Sequence, residues 1–201
     1  MGIIHRIIRR CVYKYLAEEK KENDTLKECI MGKKVDIQLP YVISHPELIE
    51  VGEGTIVSPY ARIQVYPELT ENNEYRLVIG KNCFIGYRVS ILVGASIEIG
   101  DNVAIASDVS IISQNHGMNP ESVVPYKEQK PVVKPIKIGN NCWIGDKTVI
   151  TAGVTIGDNC IIGAGSVVTK AIPSMSIAVG NPAIVIKQYN KEKHEWIRVG
   201  K

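Results

Sequence analysis

The reactive side chains of this 201-residue chain include four histidines and five cysteines, and their positions separate them quickly. His116 stands in the run Ser113-Gln114-Asn115-His116-Gly117, where a regular aliphatic pattern stops and a polar, proline-punctuated stretch begins. Imidazole, with an unperturbed pKa of about 6.5, takes a proton from a hydroxyl and returns it near neutral pH. A histidine held at the end of a rigid element therefore suits general-base catalysis, although a satisfied surface histidine has the same local text. The remaining three are less well placed. His5 falls in an amphipathic leader, His45 precedes Pro46, and His194 lies in the tail. A zinc site built on three histidines is not available, because only His116 lies inside the patterned region, and no metal is expected.

Cys11, Cys29, Cys83, Cys142 and Cys160 form neither a CxxC pair nor an even-numbered disulfide framework, which points to reduced thiols and a cytoplasmic location. Three of them recur at one place in a repeat. The repeat is a six-residue unit that begins with Ile or Val. It runs unbroken as IGNNCW, IGDKTV, ITAGVT, IGDNCI, IGAGSV and VTKAIP from residue 138 to residue 173. An earlier block reads IGKNCF, IGYRVS and ILVGAS from residue 79, then IGDNVA, IASDVS and IISQNH from residue 99, with fainter copies over 51–62. Cys83, Cys142 and Cys160 occupy the fifth place, alongside Val89, Ala95, Val103, Val109, Thr148, Val154 and Ser166. Packing in a crowded interior slot explains them better than reactivity does.

An aliphatic residue at every sixth position fits neither the helical period nor strict strand alternation. Short strands joined by tight corners do fit. Three hexads close a triangular coil, and each first-position side chain points inward onto its counterpart about 4.8 Å away. Gly-Asp-Asn and Gly-Asn-Asn after the aliphatic residue are expected to supply the left-handed backbone of the corners. The fold class is mainly β, a parallel β-helix of about five coils. A helical region near residues 2–30 should precede it and a short C-terminal helix near 190–197 should follow, since solenoid ends need covers. The expected division is a helical lead-in over 1–47, the β-helix over 48–183 with an excursion at 113–137, and a cap over 184–201. That excursion, punctuated by Pro120, Pro125, Pro131 and Pro135, leaves the coil and opens with His116.

With 45% hydrophobic residues and a net charge of +3, the chain is expected to be soluble, and no basic stripe suggests nucleic acid. No apolar run approaches the roughly 20 residues that span a bilayer. On a helix, residues 1–16 segregate Ile3, Ile7, Ile8 and Val12 from Arg6, Arg9, Arg10 and Lys14. Such a helix can rest peripherally on an anionic membrane or dock on its own domain or a neighbouring subunit.

The hexads, the loop with Asn115-His116-Gly117 and the exit from PIKIGNNCWIGDKTVI through AVGNPAIVIKQY closely resemble the hexapeptide-repeat acetyltransferases. The nearest branch looks like the galactoside, maltose and polysaccharide O-acetyltransferases, and the resemblance covers residues 48 to 190. It implies a left-handed winding of the β-helix, a homotrimer with acetyl-CoA in the groove between neighbours, and His116 as the base that activates an acceptor hydroxyl. Transfer would be direct, without an acyl-enzyme. By the same resemblance Trp143 and Asp146 line the cofactor groove, Gly145, Gly163 and Ala164 let the pantetheine arm pass, and Thr169, Lys170 and Lys187 meet the nucleotide end. Cationic groups suit its phosphates. Tyr87, Arg88 and Asn115 are candidates for the acceptor side by position. The acceptor would be a saccharide or related small molecule. An antibiotic or amino-sugar acceptor, or a non-catalytic trimeric scaffold, remains the alternative at this stage.

Overall fold

The computed structural model describes residues 34–69 and 76–199. The leader expected to be helical, with its membrane-facing stripe over 1–16, lies outside these residues. Within them the chain winds as a left-handed parallel β-helix with three faces. Face one stacks Asp36–Ile37, Ile56–Val57, Phe84–Ile85, Ala104–Ile105, Trp143–Ile144, Ile161–Ile162 and Ser176–Gly180. Face two stacks Val42–Ile43, Arg62–Val65, Ser90–Val93, Ser110–Ile112, Val149–Ile150 and Val167–Val168. Face three stacks Ile49–Val51, Leu77–Ile79, Ile97–Ile99, Ile136–Ile138 and Thr155–Ile156.

Every pairing along the coil axis is parallel and in strict register, so Ile85, Ile105, Ile144 and Ile162 form one inward column. Ile91, Ile111, Ile150 and Val168 form another. These side chains are 0% exposed, and burying each contributes roughly 1.5–3 kcal/mol. The six strands of face two make one more turn than the hexad text suggests. Ile37, Ile43 and Ile49 keep the six-residue spacing, but Pro40 and Pro46 stand where Gly-Asn corners would have signalled it.

The corners divide their labour differently from expectation. The left-handed backbone falls not on the glycine after the aliphatic residue but on the fourth position, at Asn82, Asn102, Asn141 and Asn159, with φ between 53° and 58°. The second-position glycine answers to close approach. A Cβ on Gly80 would sit 2.5 Å from the Gly100 carbonyl oxygen of the next coil. Between them, the third-position side chain caps the preceding coil. Asp101 Oδ1 accepts from the Lys81 N–H (2.7 Å), Asn140 Oδ1 from Asp101 (2.9 Å), Asp158 Oδ1 from Asn140 (2.6 Å) and Ser174 Oγ from Asp158 (3.0 Å). Gly-Asp-Asn thus encodes proximity, capping and turn in that order.

The three repeat cysteines are buried and unpaired, as their slot suggests. They also have a polar task. Cys83 Sγ donates to the Gly100 carbonyl, Cys142 Sγ to Gly157 and Cys160 Sγ to Pro173, each at 3.1 Å. Thr55 Oγ1 does the same to Gly80 at 2.7 Å. These donors satisfy corner carbonyls that the strand ladder leaves over.

The short helix expected near 190–197 is not present. Ala183–Asn190 and Glu195–Arg198 form an antiparallel hairpin that extends face one beyond Ser176–Gly180. Asn190 Oδ1 accepts from the Glu192 and Lys193 N–H groups (2.9 and 2.8 Å), which sets the turn. Tyr189 and Trp196 face each other across the strands, edge to face at 5.4 Å. Sheet pairing covers the open strand edge, a task that outweighs the helical propensity of the Lys-Glu-Lys run.

Burial pushes the Cys83 thiol up, away from the reactive thiolate. All three repeat thiols are at most 2% exposed, so in a Cys11→Ser/Cys29→Ser variant they should resist Ellman's reagent until guanidinium unfolds the coil. Rapid labelling of the folded variant would contradict this packing.

Candidate active site

The edge between faces two and three carries two departures from the coil. In one, Tyr66 to Arg76 separate Arg62–Val65 from Leu77–Ile79, with a 3-10 turn at Pro67–Leu69. In the other, residues 113–135 separate Ser110–Ile112 from Ile136–Ile138. The intervening coil turns the same corner tightly, between Val93 and Ile97.

His116 is fixed from both sides. On the coil side, Ser113 is fully buried; its Oγ accepts from the Gly94 and Ala95 N–H groups (both 3.0 Å) and donates to the Ala95 carbonyl (2.7 Å). Gln114–Asn115 then pairs antiparallel with Val132–Val133, so the loop leaves and returns as a ribbon. On the loop side, a Cβ on Gly117 would run into Gln129 and approach the Lys130 carbonyl oxygen at 2.9 Å. Gln129 ties the loop together: its Oε1 accepts from Asn119 N–H (2.9 Å), and its Nε2 donates to the Asn119 and Val124 carbonyls (3.0 and 2.9 Å). The imidazole itself is exposed and has no hydrogen bond to any described residue.

A cavity of about 380 Å³ opens beside it. Its described lining joins Gln114, Asn115 and His116 to Tyr66 and Leu69 from the first departure, with Ile112 and Pro131. Asn115 therefore does share a pocket with His116. Tyr66 and Leu69 were not anticipated; the only signal was the break in hexad phase between residues 62 and 79.

Tyr87 and Arg88 are elsewhere. They lie on the edge between faces one and two, where Arg88 makes a two-pronged ion pair with Asp108 (Nε–Oδ1 2.6 Å, Nη2–Oδ2 2.8 Å) one coil on. The guanidinium lies 4.6 Å from the centroid of the Tyr87 ring, which meets Tyr60 edge to face at 5.2 Å. Arg88 in turn holds the Asp108 carboxyl below its usual range. A single chain does not bring these residues to His116.

The residues expected along the cofactor fall on two edges, on face one and on its hairpin extension. Gly145, Asp146, Gly163 and Ala164 share the edge of Tyr87 and Arg88. Stacking alone accounts for the glycine at 145, whose Cβ would meet Ala164 N at 2.6 Å. Asp146 Oδ1 accepts from the Ser107 N–H (3.2 Å), the same capping role as at the other edge. Thr169 and Lys170 are exposed and follow Val167–Val168 on the edge of His116, two coils beyond it, about 10 Å along the axis at strand spacing. Lys187 sits in the hairpin opposite Arg198, a second cation that the expectation of a helix had concealed. Trp143, 57% exposed, belongs to an outward column on face one with Ile56, Phe84, Ala104 and Ile161. Together with Ile161, Tyr189 and Trp196 it lines a second cavity of about 410 Å³. Among the described residues, no group of three or more His, Cys, Asp or Glu is placed to hold a metal.

Comparison with known proteins agrees with this architecture. Residues 135–170 match the family described as bacterial transferase hexapeptide (six repeats), and residues 76–112 match the hexapeptide repeat of succinyl-transferase. Galactoside O-acetyltransferase of Escherichia coli (strain K12) is 38% identical over 160 residues, which cover 77% of each chain. A maltose O-acetyltransferase from Clostridium difficile 630 superposes with a TM-score of 0.59 at 33% identity, over 86% of this chain and 76% of that one. A hexapeptide-repeat acetyltransferase from Vibrio cholerae O1 biovar eltor, solved with acetyl coenzyme A, superposes with a TM-score of 0.58 at 25% identity, over 86% and 79% of the two chains. Coil, corner grammar and relatives agree, and the chain belongs to the hexapeptide-repeat acetyltransferases, in the branch of the galactoside and maltose O-acetyltransferases.

Proposed function

We propose that this enzyme transfers the acetyl group of acetyl-CoA to a hydroxyl of a saccharide, with His116 as general base. The observation that carries this reading is the pocket that holds His116 and Asn115 on a clamped loop, within a family whose relatives acetylate sugars. His116 takes the proton as the acceptor oxygen attacks the thioester carbonyl; a C–O bond forms, the C–S bond breaks, and the proton is returned to the departing CoA thiolate. No covalent intermediate on the protein is needed.

The acetyl donor would lie along the coil axis, with Thr169 and Lys170 toward its phosphates and Lys187, with Arg198 beside it, as a further cationic contact. Gly145, Asp146, Gly163 and Ala164 sit on a different edge from His116, as do Tyr87 and Arg88. A groove shared by two subunits would unite the two edges, which supports a homotrimer with its sites between chains. The outward column of Ile56, Phe84 and Trp143 supports the same assembly, because so continuous an apolar stripe is covered in most soluble proteins. Among the described residues no helix is long and apolar enough to cross a membrane. A cytoplasmic location suits both the acetyl-CoA donor and the three free thiols.

His116→Ala should keep the fold and lower acceptor-dependent release of CoA thiol on the order of 100-fold to 10,000-fold; unchanged turnover would remove the histidine from the mechanism. Lys170→Ala should weaken CoA in calorimetry by about tenfold, the scale of one charge-assisted contact. An unaltered dissociation constant would place the phosphates elsewhere. Phe84→Glu, at a position 48% exposed in the single chain, should convert the trimer to folded monomers by analytical ultracentrifugation and abolish transfer.

A further inference from the structure

Two of the three edges of the coil are taken up by the proposed groove between subunits, and the third is where the described residues begin. Lys34 stands at the corner between faces three and one, where its carbonyl accepts from the Gly54 N–H (3.1 Å). Beyond Gly54 the same edge runs through Asn82 and Asn102 to Asn141, Asn159 and Met175, each corner N–H donating to the coil before it. At strand spacing, Asn141 is about 19 Å and Met175 about 29 Å from Lys34 along the axis.

At the far end of this edge lies the cavity of about 410 Å³. Its apolar lining is Trp143, Ile161, Met175, Tyr189 and Trp196, so both tryptophans of the chain stand in it. The Tyr189 N–H donates to the Met175 carbonyl (2.9 Å), which ties the hairpin to the corner. Asn141 Nδ2 donates to Asn159 Oδ1 (2.7 Å), so part of the polar lining is engaged within the protein. Contiguous aromatic and aliphatic surface of this kind marks a contact. The other side of the edge is different, because the outward row of face three carries the ion pairs Arg76–Glu50 (3.3 Å) and Lys137–Glu98 (3.5 Å). The corners at 100–102, 139–141 and 157–159 hold Asp101 and Asp158 and no Lys or Arg.

We infer that this cavity seats residues 3–12 of the same chain, with Ile3, Ile7, Ile8 and Val12 against the aromatic lining and the cations of that segment beside the acidic corners. Charge and length both fit. Residues 1–17 contain Arg6, Arg9, Arg10 and Lys14 and no Asp or Glu. Residues 13–33 span about 30 Å even at the 1.5 Å per residue of a helix, enough to follow the edge from Lys34 to the cavity. Of the two fates open to the apolar stripe, docking on its own domain thus replaces adsorption to a membrane. The contact stands whether or not His116 is the base.

Because Trp143 and Trp196 are the only tryptophans, the intrinsic emission of the full-length protein reads this cavity directly. Ile7→Glu/Ile8→Glu, which removes two aliphatic side chains from the contact, should red-shift that emission and raise acrylamide quenching at least about twofold, with sedimentation and far-UV circular dichroism unchanged. Conversely, Tyr189→Glu should open Arg9 and Arg10 to trypsin about tenfold faster than in the parent while the coil stays resistant. Equal quenching in the parent and the leader variant, or equal cleavage in the parent and Tyr189→Glu, would overturn the docking. So would protection of Arg9 and Arg10 that rises with protein concentration, the mark of a second copy, or that appears only with phosphatidylglycerol vesicles, the mark of a membrane.

Discussion

The repeated backbone pairing of one coil with the next, at a single strand spacing, is the constraint from which the rest follows. Holding coils about 4.8 Å apart at the corners between faces three and one leaves no room for a side chain at the second position, which is glycine there at 52, 80, 100, 139 and 157. It also leaves corner N–H and C=O groups without a strand partner. At the corners between faces three and one the chain answers each demand with a recurring residue type: glycine for the approach, Asp, Asn or Ser to cap the N–H, Cys or Thr to donate to the carbonyl, and Asn for the left-handed turn. The hydrophobic columns are then almost forced, because three corners per coil deliver the same residues to the same interior place on every turn.

That rigidity makes the site possible. The proposed base, on an exposed loop, needs an anchor, and the buried Ser113 at one end and the Gly117–Gln129 packing at the other supply it. The remaining orientation of the imidazole is open within one chain, consistent with a site completed by a second subunit and by the acceptor. The division of candidate cofactor residues between two edges fits the proposed trimer. A triangular prism cannot bring two of its edges together, but three prisms side by side can.

Much of this was legible in the residues. The six-residue aliphatic spacing identifies the coil, and the loss of register after Ile111 identifies the loop and its histidine. The grammar of the corner was less so, because a Gly-Asp-Asn triplet reads as one turn signal although its members serve three different contacts. Two failures have a common cause. The first coil, with Pro40 and Pro46, and the C-terminal hairpin with its Lys-Glu-Lys turn lie at the ends of the solenoid. There the repeat no longer dictates composition, and pairing with a neighbouring strand decides the structure. Tyr66 and Leu69 escaped notice for another reason: they reach His116 through stacking of non-adjacent coils, a relation with no period in the text. Tyr87 and Arg88, near in the repeat, stand on a different edge from His116 within one chain.

The loop that carries His116 also changes how far apart successive coils are along the chain. Before it, Lys81 is capped by Asp101 at a separation of 20 residues; across it, Asp101 is capped by Asn140 at 39. Doubling a closed loop costs only about 0.6 kcal/mol of chain entropy, less than the roughly 0.8 kcal/mol of one buried methylene. A solenoid of this kind can therefore lengthen, shorten or rewrite the loops along one edge with little effect on its coil. Edits of that kind can reshape the pocket beside His116 while the stacked interior stays as it is.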